Sequence, residues 1–403
     1  MLTVIHEDSE STHDDFAGST STSRSGNRHG GTTHWGHTGP GALHDPSDSE
    51  VMEEDDDAQS SRSVSPAPTV QSITESLLMS LSYEKHGRVV NATNPTYAMA
   101  CDGDEVRRQS HEHRLYKLLL SNLFGNDLYI GPVEEVLEED TDLAEDKMVM
   151  DFGTGSADWA IDMAVRFPHV QVLGIDLSPI QPEASALPMN CRIEVDDLNL
   201  DISHYYNTSS LVHIRMLAAG IKDYPGLIDQ ATQCLVPGGL LHIFETDFRP
   251  YHSAHVDALM SKPPKNPRNP EYSASAHWLG CLSTAMHRKM ANCDAGPNLK
   301  RWIGEARDLE PVEYHDAFMP MFAIFPDTTW ENKMYNEIAR MLSADFVQYI
   351  SNARPLLLDQ FSIIQMDALE RQVHLELQKP RKQLWVRVVI ICARRKANMD
   401  VSP

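Results

Sequence analysis

A glycine turn between an apolar strand and a helix is the part of the sequence best suited to chemistry. The stretch VMDFGTGSADWA runs over 149–160, and its apolar part ends in Asp151, followed by Gly153 and Gly155. Glycine lets a backbone turn tightly and approach a ligand closely, and the next helix N-terminus offers free N–H groups to anionic atoms. The turn predicts a ligand site, although a Gly-x-Gly pair alone also occurs in turns that bind nothing.

Two ligands compete for this turn, a dinucleotide and S-adenosylmethionine. The dinucleotide fingerprint GxGxxG needs a glycine at its sixth position, where this sequence has Asp158. A carboxylate there would lie unfavourably near a diphosphate. Asp151, two residues before the first glycine, suits a cationic ligand instead, and S-adenosylmethionine carries an ammonium and a sulfonium group. These residues favour S-adenosylmethionine.

Further carboxylates follow the next two predicted strands. Asp176 comes 23 residues after Gly153, at the end of VQVLGID, where an acid can accept both ribose hydroxyls of an adenosine cofactor. Asp196 and Asp197 follow CRIEV, where one of them could accept the adenine amino group. Each acid alone is as well explained as a solvated strand end. Three acids at successive strand ends after a glycine turn are much more specific.

The elements that must position these residues alternate between strand and helix. Helices predicted over 157–167 and 224–235 lie among the strands MVMDF, VQVLGID, CRIEV, LVHIRML and LLHIFETDF. Such alternation implies a parallel sheet with helices on both faces. A helix over 104–124 forms a cap before the sheet. After a loop at SKPPKNPRNP, the pattern predicts a helix over 272–292, a strand at VEYHDAFMPMF, helices over 330–377, and an edge or antiparallel strand at LWVRVVIICARR.

The first 82 residues differ in composition from the rest. The 403-residue chain has 58 acidic and 34 basic residues and a net charge of -24, of which the first 82 residues carry -11. They are rich in Ser, Thr, Asp, Gly and His and have no periodic apolar pattern, so we expect this leader to be disordered. The acidic balance argues against a general nucleic-acid binder, because phosphates require clustered Lys and Arg.

The cysteines and the apolar segments indicate an intracellular, soluble protein. The six cysteines have no CxxC pair and no framework spacing, which is typical of reduced thiols and predicts no structural zinc site. The N-terminus lacks a secretory pattern. The most apolar run, over 384–393, is too short to span a bilayer and contains Arg387. We expect the cytoplasm or the nucleus, and no membrane association.

With these motifs in hand, the sequence resembles class I S-adenosylmethionine-dependent methyltransferases, and more closely the fungal LaeA-like family. The resemblance covers Tyr83 to Lys396 and includes YEKHGRVVN and DEVRRQSHEH in the cap. It rests mainly on DFGTGSADWAIDMAVRFP, VLGIDLSPIQP, VDD at 195–197, LVHIRML and CLVPGGLLHIFETDF. The combination is specific at family level, because DLSPIQP and HIRML go well beyond a generic glycine turn.

The resemblance implies an α/β, Rossmann-like fold: a doubly wound, mostly parallel sheet of seven strands, the last antiparallel, with the cofactor at the carboxyl ends of the first strands. It also suggests a division of the chain. The parts are a disordered tail (1–82), a helical cap (83–140), the methyltransferase domain (141–396, with an insert at about 251–298) and a short tail (397–403).

The resemblance also assigns roles to individual positions. Asp151, Gly153 and Gly155 would line the amino-acid part of the cofactor, Asp176 would hold the ribose, Asp197 with Asp196 would face the adenine, and His213 and Arg215 would face the substrate or the cofactor's carboxylate. Two positions depart from the family pattern. Ala157 replaces the usual third glycine, and NTSS at 207–210 replaces an aromatic residue and Asp before the fourth strand.

Methyl transfer is an in-line displacement at an activated carbon, so the protein mainly supplies proximity and orientation. A base is needed only for a protonated acceptor, and His213, Tyr205 and His252 are candidates without an assigned role. The expected activity is methyl transfer (EC 2.1.1.-) to a protein or a fungal secondary metabolite. The alternative is a cofactor-binding regulatory subunit, similar to LaeA-like proteins that act with velvet-family partners in the nucleus. We expect no metal and no direct nucleic-acid binding.

Overall fold

The computed structural model describes residues 80–138, 147–178, 186–260 and 264–397. The leader predicted to be disordered lies outside the described residues up to position 79. The part of the DLSPIQP motif after Ser178, and the final tail from position 398, also lie outside them.

A seven-stranded sheet forms the centre of the described structure. Its strands are β3 (Met148–Phe152), β4 (Gln171–Asp176), β5 (Cys191–Val195), β6 (Ser209–Arg215), β7 (Leu235–Tyr251), β8 (Leu309–Pro320) and β9 (Trp385–Arg395). Their spatial order is β5-β4-β3-β6-β7-β9-β8. β3 to β7 pair in parallel, whereas β9 is antiparallel to both β7 and β8. The predicted doubly wound sheet is confirmed, and its antiparallel strand lies inside the sheet rather than at an edge.

Helices cover both faces of this sheet. They are α1 (Gly103–Phe124), α2 (Val133–Leu137), α3 (Asp158–Arg166), α4 (Tyr224–Cys234), α5 (Ala274–Arg288), α6 (Ala295–Glu305), α7 (Trp330–Leu357) and α8 (Ile363–Gln378). The predicted helices agree with them within a few residues. The sequence patterns predict neither α2 nor α6, and the first residues of α6 read Ala-Gly-Pro-Asn. Proline is tolerated in a first helical turn, where its missing N–H costs no hydrogen bond.

The burial of the central strands explains their sequences. In β6 every residue from Ser209 to Ile214 is buried, as expected for a parallel strand with helices on both faces. Such a strand has no solvent face and therefore shows no alternation of polar and apolar residues. Among the described helices, none has the length and apolar character needed to cross a membrane.

The cap is joined to the rest of the fold by ion pairs. A short hairpin, β1 (Ser82–Lys85) with β2 (Arg88–Asn91), precedes α1. Nε of Arg88 donates to the carboxylate of Asp102 at 2.7 Å, and Asp102 also caps the N-terminus of α1. Further along α1, Arg108 donates to Asp345 of α7 at 2.9 Å. The loop after the hairpin, α1 and α7 together contribute one side of the cavity described below.

Candidate functional site

The loop after β3 exposes bare backbone at two glycines. Gly153 has a φ of +73° and Gly155 a φ of +55°, both in the left-handed region that disfavours other residues. A β-carbon at Gly153 would collide with the side chain of Leu217, and one at Gly155 would lie 2.7 Å from Oε1 of Gln109. The N–H groups of Gly153 and Thr154 both donate to the carbonyl oxygen of Ile175 on β4, at 2.7 and 3.0 Å. The loop is thus tied to the neighbouring strand at a cavity edge.

Ala157, the position of the family's third glycine, also has a left-handed backbone, with a φ of +62°. It is the N-cap of α3 and is fully buried. The methyl group leaves the turn intact, but a non-glycine residue in this conformation is strained by about 1 kcal/mol.

Asp151 lies beneath the loop rather than in the cavity wall. It is buried and accepts a hydrogen bond from Oγ1 of Thr154 at 2.8 Å. Burial raises the pKa of Asp151 to about 6, against the opposing charge of Arg215. Thr154 is the residue of this pair that lines the cavity. Asp151 therefore does not line the cavity itself and can influence a ligand only through Thr154 and through its charge.

Asp176 is at the cavity, at the end of β4, and is half-buried. Its carboxylate accepts the backbone N–H of Gly155 at 2.8 Å and that of Ser178 at 2.7 Å. Desolvation raises the pKa of Asp176, while the two backbone N–H groups oppose that effect. Each carboxylate oxygen keeps a further lone pair, so the group can still accept a ligand hydroxyl.

Asp196 and Asp197 also line the cavity, beyond β5. The carboxylate of Asp197 accepts from Nδ2 of Asn94 at 3.0 and 3.1 Å, and from both the backbone and the side chain of Asn199 at 3.0 Å. Asp196 lies 3.1 Å from Nε2 of His204. Asn94 belongs to the cap, so Asp197 joins the cap to the sheet at the cavity.

His213 is placed in the core and not at the cavity. It is 1% exposed, and its ring stacks on Trp159 with the centroids 3.8 Å apart. Its Nδ1 lies 3.1 Å from Nδ1 of His242, whose Nε2 accepts the backbone N–H of Ile130. Because Nε2 of His242 is an acceptor, its Nδ1 carries the hydrogen and donates it to Nδ1 of His213. This bond uses the one nitrogen lone pair that a neutral His213 has. Burial lowers the pKa of His213 well below its ordinary value, and the ring does not line the cavity.

The other two candidate bases also lie away from the cavity. Tyr205 is buried and donates its hydroxyl to Glu194 at 2.9 Å, and burial strongly raises its pKa. His252 is exposed, beyond the end of β7. By contrast, Arg215 lines the cavity, where it lies 5.6 Å from the ring of Tyr116 and contacts His113 at 3.2 Å.

The sequence analysis missed a buried group on the cap side of the cavity. The guanidinium of Arg108 is surrounded by three carboxylates, which we call the Arg108 cluster: Glu105 at 2.8 Å, Asp345 at 2.9 Å and Glu112 at 3.0 Å. The ring of Tyr349 lies 5.2 Å from it. Burial raises the pKa of Asp345 to about 7, against the attraction of Arg108. Arg108 belongs to the DEVRRQSHEH motif, but its partner Asp345 on α7 is 237 residues away in the sequence.

The cavity as a whole suits a cation that carries hydroxyl groups. Its walls hold the carboxylates of Glu105, Glu112, Asp176, Asp196 and Asp197. Arg108 and Arg215 are the basic side chains among the described residues that line it. The bare backbone at Gly153 and Gly155 leaves room for close approach, and Asp176 offers acceptors beside it. These features fit S-adenosylmethionine, with its sulfonium, ammonium and ribose.

Comparison with known proteins gives the same picture. A family model described as a methyltransferase domain matches residues 125–310. A secondary metabolism regulator, laeA, from Coprinopsis cinerea is 30% identical over 338 residues, or 82% of this chain and 78% of that protein. The methyltransferase pytC of Aspergillus terreus is 31% identical over 62% of this chain and 70% of its own length. The protein-methionine methyltransferase laeA of Emericella nidulans is 25% identical over 52% and 49% of the two chains.

Proposed function

Because the chain belongs to the LaeA-like family of class I S-adenosylmethionine-dependent methyltransferases, we propose that it methylates the thioether of a methionine in a protein. The family establishes the enzyme class, the cofactor and the link to secondary metabolism. The acceptor is our proposal. It rests on the charge and composition of the cavity walls.

The residues that would hold the cofactor lie on three neighbouring strand ends. Gly153 and Gly155 allow close approach, Asp176 offers acceptors for ribose hydroxyls, and Asp197 is at the next strand end. When bound, S-adenosylmethionine supplies a methyl group on a positively charged sulfur. The protein's contribution is to orient the acceptor and to exclude water.

The observation that carries the acceptor proposal is the acidic and aromatic wall facing the glycine loop. It combines Glu105 and Glu112 of the Arg108 cluster, whose third carboxylate does not line the cavity, with the rings of Tyr97, Phe248 and Tyr349. No histidine or lysine of the described residues lines the cavity. A thioether has no proton to lose, so it needs no base, and it becomes a cation on methylation. Carboxylates and aromatic faces both stabilise that charge.

The printed name of one relative supports the same acceptor. The Emericella nidulans protein is named a protein-methionine methyltransferase. A carboxylate acceptor would instead require a cationic wall, and the described cavity offers an anionic one.

The direct test uses the full-length protein with methyl-labelled S-adenosylmethionine and fungal protein extract. We expect the label in protein and, after digestion, on methionine side chains as methylsulfonium. Glu112→Gln removes one negative charge from the wall and should slow transfer about tenfold. Glu305→Gln, on an exposed residue of α6, is the matched control.

Two results would overturn the acceptor proposal. One is label found on lysine, histidine or carboxyl groups instead of methionine. The other is label recovered in a small molecule while the protein fraction stays unlabelled, which would favour a secondary metabolite as acceptor.

We also propose that the activity serves a regulatory assembly in the nucleus with velvet-type proteins. The support is the similarity to the Coprinopsis cinerea regulator, which covers 82% of this chain, against 62% for pytC. Epitope-tagged protein purified separately from nuclear and cytosolic fractions would test both points. Absence of velvet-type proteins from the nuclear eluate would contradict the proposal, and co-purification with a biosynthetic enzyme complex would favour a metabolic role.

A further inference from the structure

A cluster of three potential metal ligands lies where α5 passes into α6. His287 is in the last turn of α5, and Cys293 and Asp294 directly precede α6. One ligand atom from each residue lies within 4.8 Å of the other two. The thiol is buried, whereas the imidazole and the carboxylate reach the surface, so an ion could enter from solvent.

The tautomer of His287 is fixed by its backbone contact. Nδ1 lies 2.8 Å from the carbonyl oxygen of Ser283, one helical turn earlier. A carbonyl oxygen can only accept, so Nδ1 must carry the hydrogen and donate it. Histidines that bind metal commonly hold their second nitrogen in this way. Nε2 is thereby left to bind a cation.

Nε2 of His287 points at the other two groups. It lies 2.9 Å from Oδ2 of Asp294 and 3.5 Å from Sγ of Cys293. In a neutral ring with its hydrogen on Nδ1, the lone pair of Nε2 faces a lone pair of Oδ2 of Asp294 across 2.9 Å. These lone pairs repel each other unless a positive charge, from a proton or a metal ion, lies between them. A cation bound between the two atoms would supply that charge.

The same contacts argue against a nucleophilic Cys-His-Asp relay. Sγ of Cys293 lies 3.1 Å from Nδ1 of His287. In a relay that nitrogen would accept the thiol proton, but it is already a donor to Ser283.

The donor set selects the metal. One thiolate, one imidazole and one carboxylate suit zinc, whereas magnesium and calcium prefer oxygen ligands. Bond lengths of about 2.3 Å to sulfur and about 2.0 Å to nitrogen at a tetrahedral angle place the two atoms about 3.5 Å apart. Sγ lies 3.5 Å from Nε2 but nearer to Nδ1, at 3.1 Å, so the Cys293 side chain must rotate towards the outer side of Nε2 before both atoms can bind one ion.

We propose that His287, Cys293 and Asp294 bind a zinc ion, with water as the fourth ligand, and that this ion fastens α5 to α6. The turn between α5 and α6 contacts a residue that lines the cofactor cavity. The N–H of Asn292 donates to the carbonyl oxygen of Ile221 at 2.8 Å, and Ile221 lines the cavity. The spacing of the cysteines predicted no zinc site because it shows no CxxC pair, whereas the fold brings a histidine and an aspartate to a single cysteine.

The test is a zinc titration of full-length protein that has been stripped with a chelator, read by competition with a fluorescent zinc indicator. We expect one zinc ion per chain. Cys293→Ser and His287→Gln should each weaken binding at least about tenfold, because each removes one of three ligands. Cys281→Ser and His277→Gln change the same residue types on α5 outside the cluster and should bind zinc like the wild type.

A second readout separates ligand loss from misfolding. His287 is about half exposed, so His287→Gln should keep the wild-type circular dichroism spectrum and melting temperature in the absence of zinc. Zinc should then raise the melting temperature of the wild type and not that of the variant. Failure of the wild type to bind zinc, or equal affinity of the wild type and both ligand variants, would overturn the proposal. Neither result would affect the methyltransferase assignment.

Discussion

The carboxylate of Asp176 accepts the backbone N–H of Gly155 at 2.8 Å, so an acid at the end of one strand holds the glycine loop that follows its neighbour. The same carboxylate accepts the N–H of Ser178. One side chain thus fixes two loops at the cavity edge. It must position the loops and receive the ligand at the same time.

Asp176→Asn should weaken cofactor binding by about 10- to 100-fold. The amide keeps one acceptor oxygen but turns the other position into a donor, which faces a backbone N–H. Hydrogen bonds to a charged group contribute about 1.5–3 kcal/mol each. Isothermal titration with S-adenosylmethionine measures the change. Asp201→Asn alters an exposed acid that bonds Ser203 outside the cavity and serves as control; equal loss in both variants would contradict the assigned role.

Gly153→Ala should lower both stability and cofactor affinity. The alanine would have to adopt a φ of +73°, at a cost of about 1–2 kcal/mol, and its methyl group would collide with Leu217. Gly280→Ala is the matched control, because Gly280 is helical and its added methyl group meets open space. That variant should gain roughly 0.5–1 kcal/mol. Urea unfolding measures both, and a Gly153→Ala protein as stable as the wild type would refute the strained geometry.

Glu245 should make the stability of the protein depend on pH. It is fully buried, and Oε1 accepts from the backbone N–H groups of Leu217 and Ala218 and from the hydroxyl of Tyr224. Its Oε2 has no hydrogen-bond partner among the described residues. Burial raises the pKa of Glu245 from 4.5 to about 8. The folded protein therefore holds a proton that the unfolded chain releases above pH 4.5.

The sign of the effect follows from that difference. The stability contributed by protonated Glu245 is fully present below about pH 4.5 and is lost as the pH rises to about 8. Glu245→Gln cannot ionise, so the stability of the wild type relative to this variant should fall by up to about 1.4 kcal/mol per pH unit across that range. Urea unfolding at pH 5, 6, 7 and 8 gives the slope. Parallel curves for the two proteins would show that Glu245 does not titrate there.

His213→Phe should leave cofactor affinity within about threefold of the wild type. The ring lies in the core against Trp159, and its lone pair is used by His242. Loss of that bond leaves a buried donor on His242 without a partner, which costs about 1–3 kcal/mol of stability. Calorimetric titration and thermal unfolding separate the two effects. A large loss of cofactor affinity in a variant that remains stable would show that His213 contributes to cofactor binding.

The strands and the glycine loop could be predicted because local sequence determines them. The apolar run that ends in Asp151-Phe152-Gly153 favours a buried strand over other structures, and Gly155 follows at the spacing of a strand-to-helix turn. The acids Asp176 and Asp197 could be placed at one sheet edge because parallel strands end at the same side.

The position of His213 could not be predicted from its sequence. It lies in a strand that is buried on both faces, so alternation gives no hint of which side chains reach the ligand and which face a helix. The Arg108 cluster could not be predicted from the sequence for another reason. Arg108 and Asp345 are 237 residues apart, and no local pattern encodes a contact over that separation. The same is true of Asn94 and Asp197, which are 103 residues apart.

The place of β9 in the sheet has a consequence for synthesis of the chain. β9 comes last in sequence among the described strands, yet it lies between β7 and β8 and pairs with both. While the ribosome is still making the preceding helices, β7 and β8 have no common neighbour and both present unpaired edges. The sheet can close only after β9 has emerged, so the nascent chain exposes these apolar edges late in translation, when aggregation competes with folding.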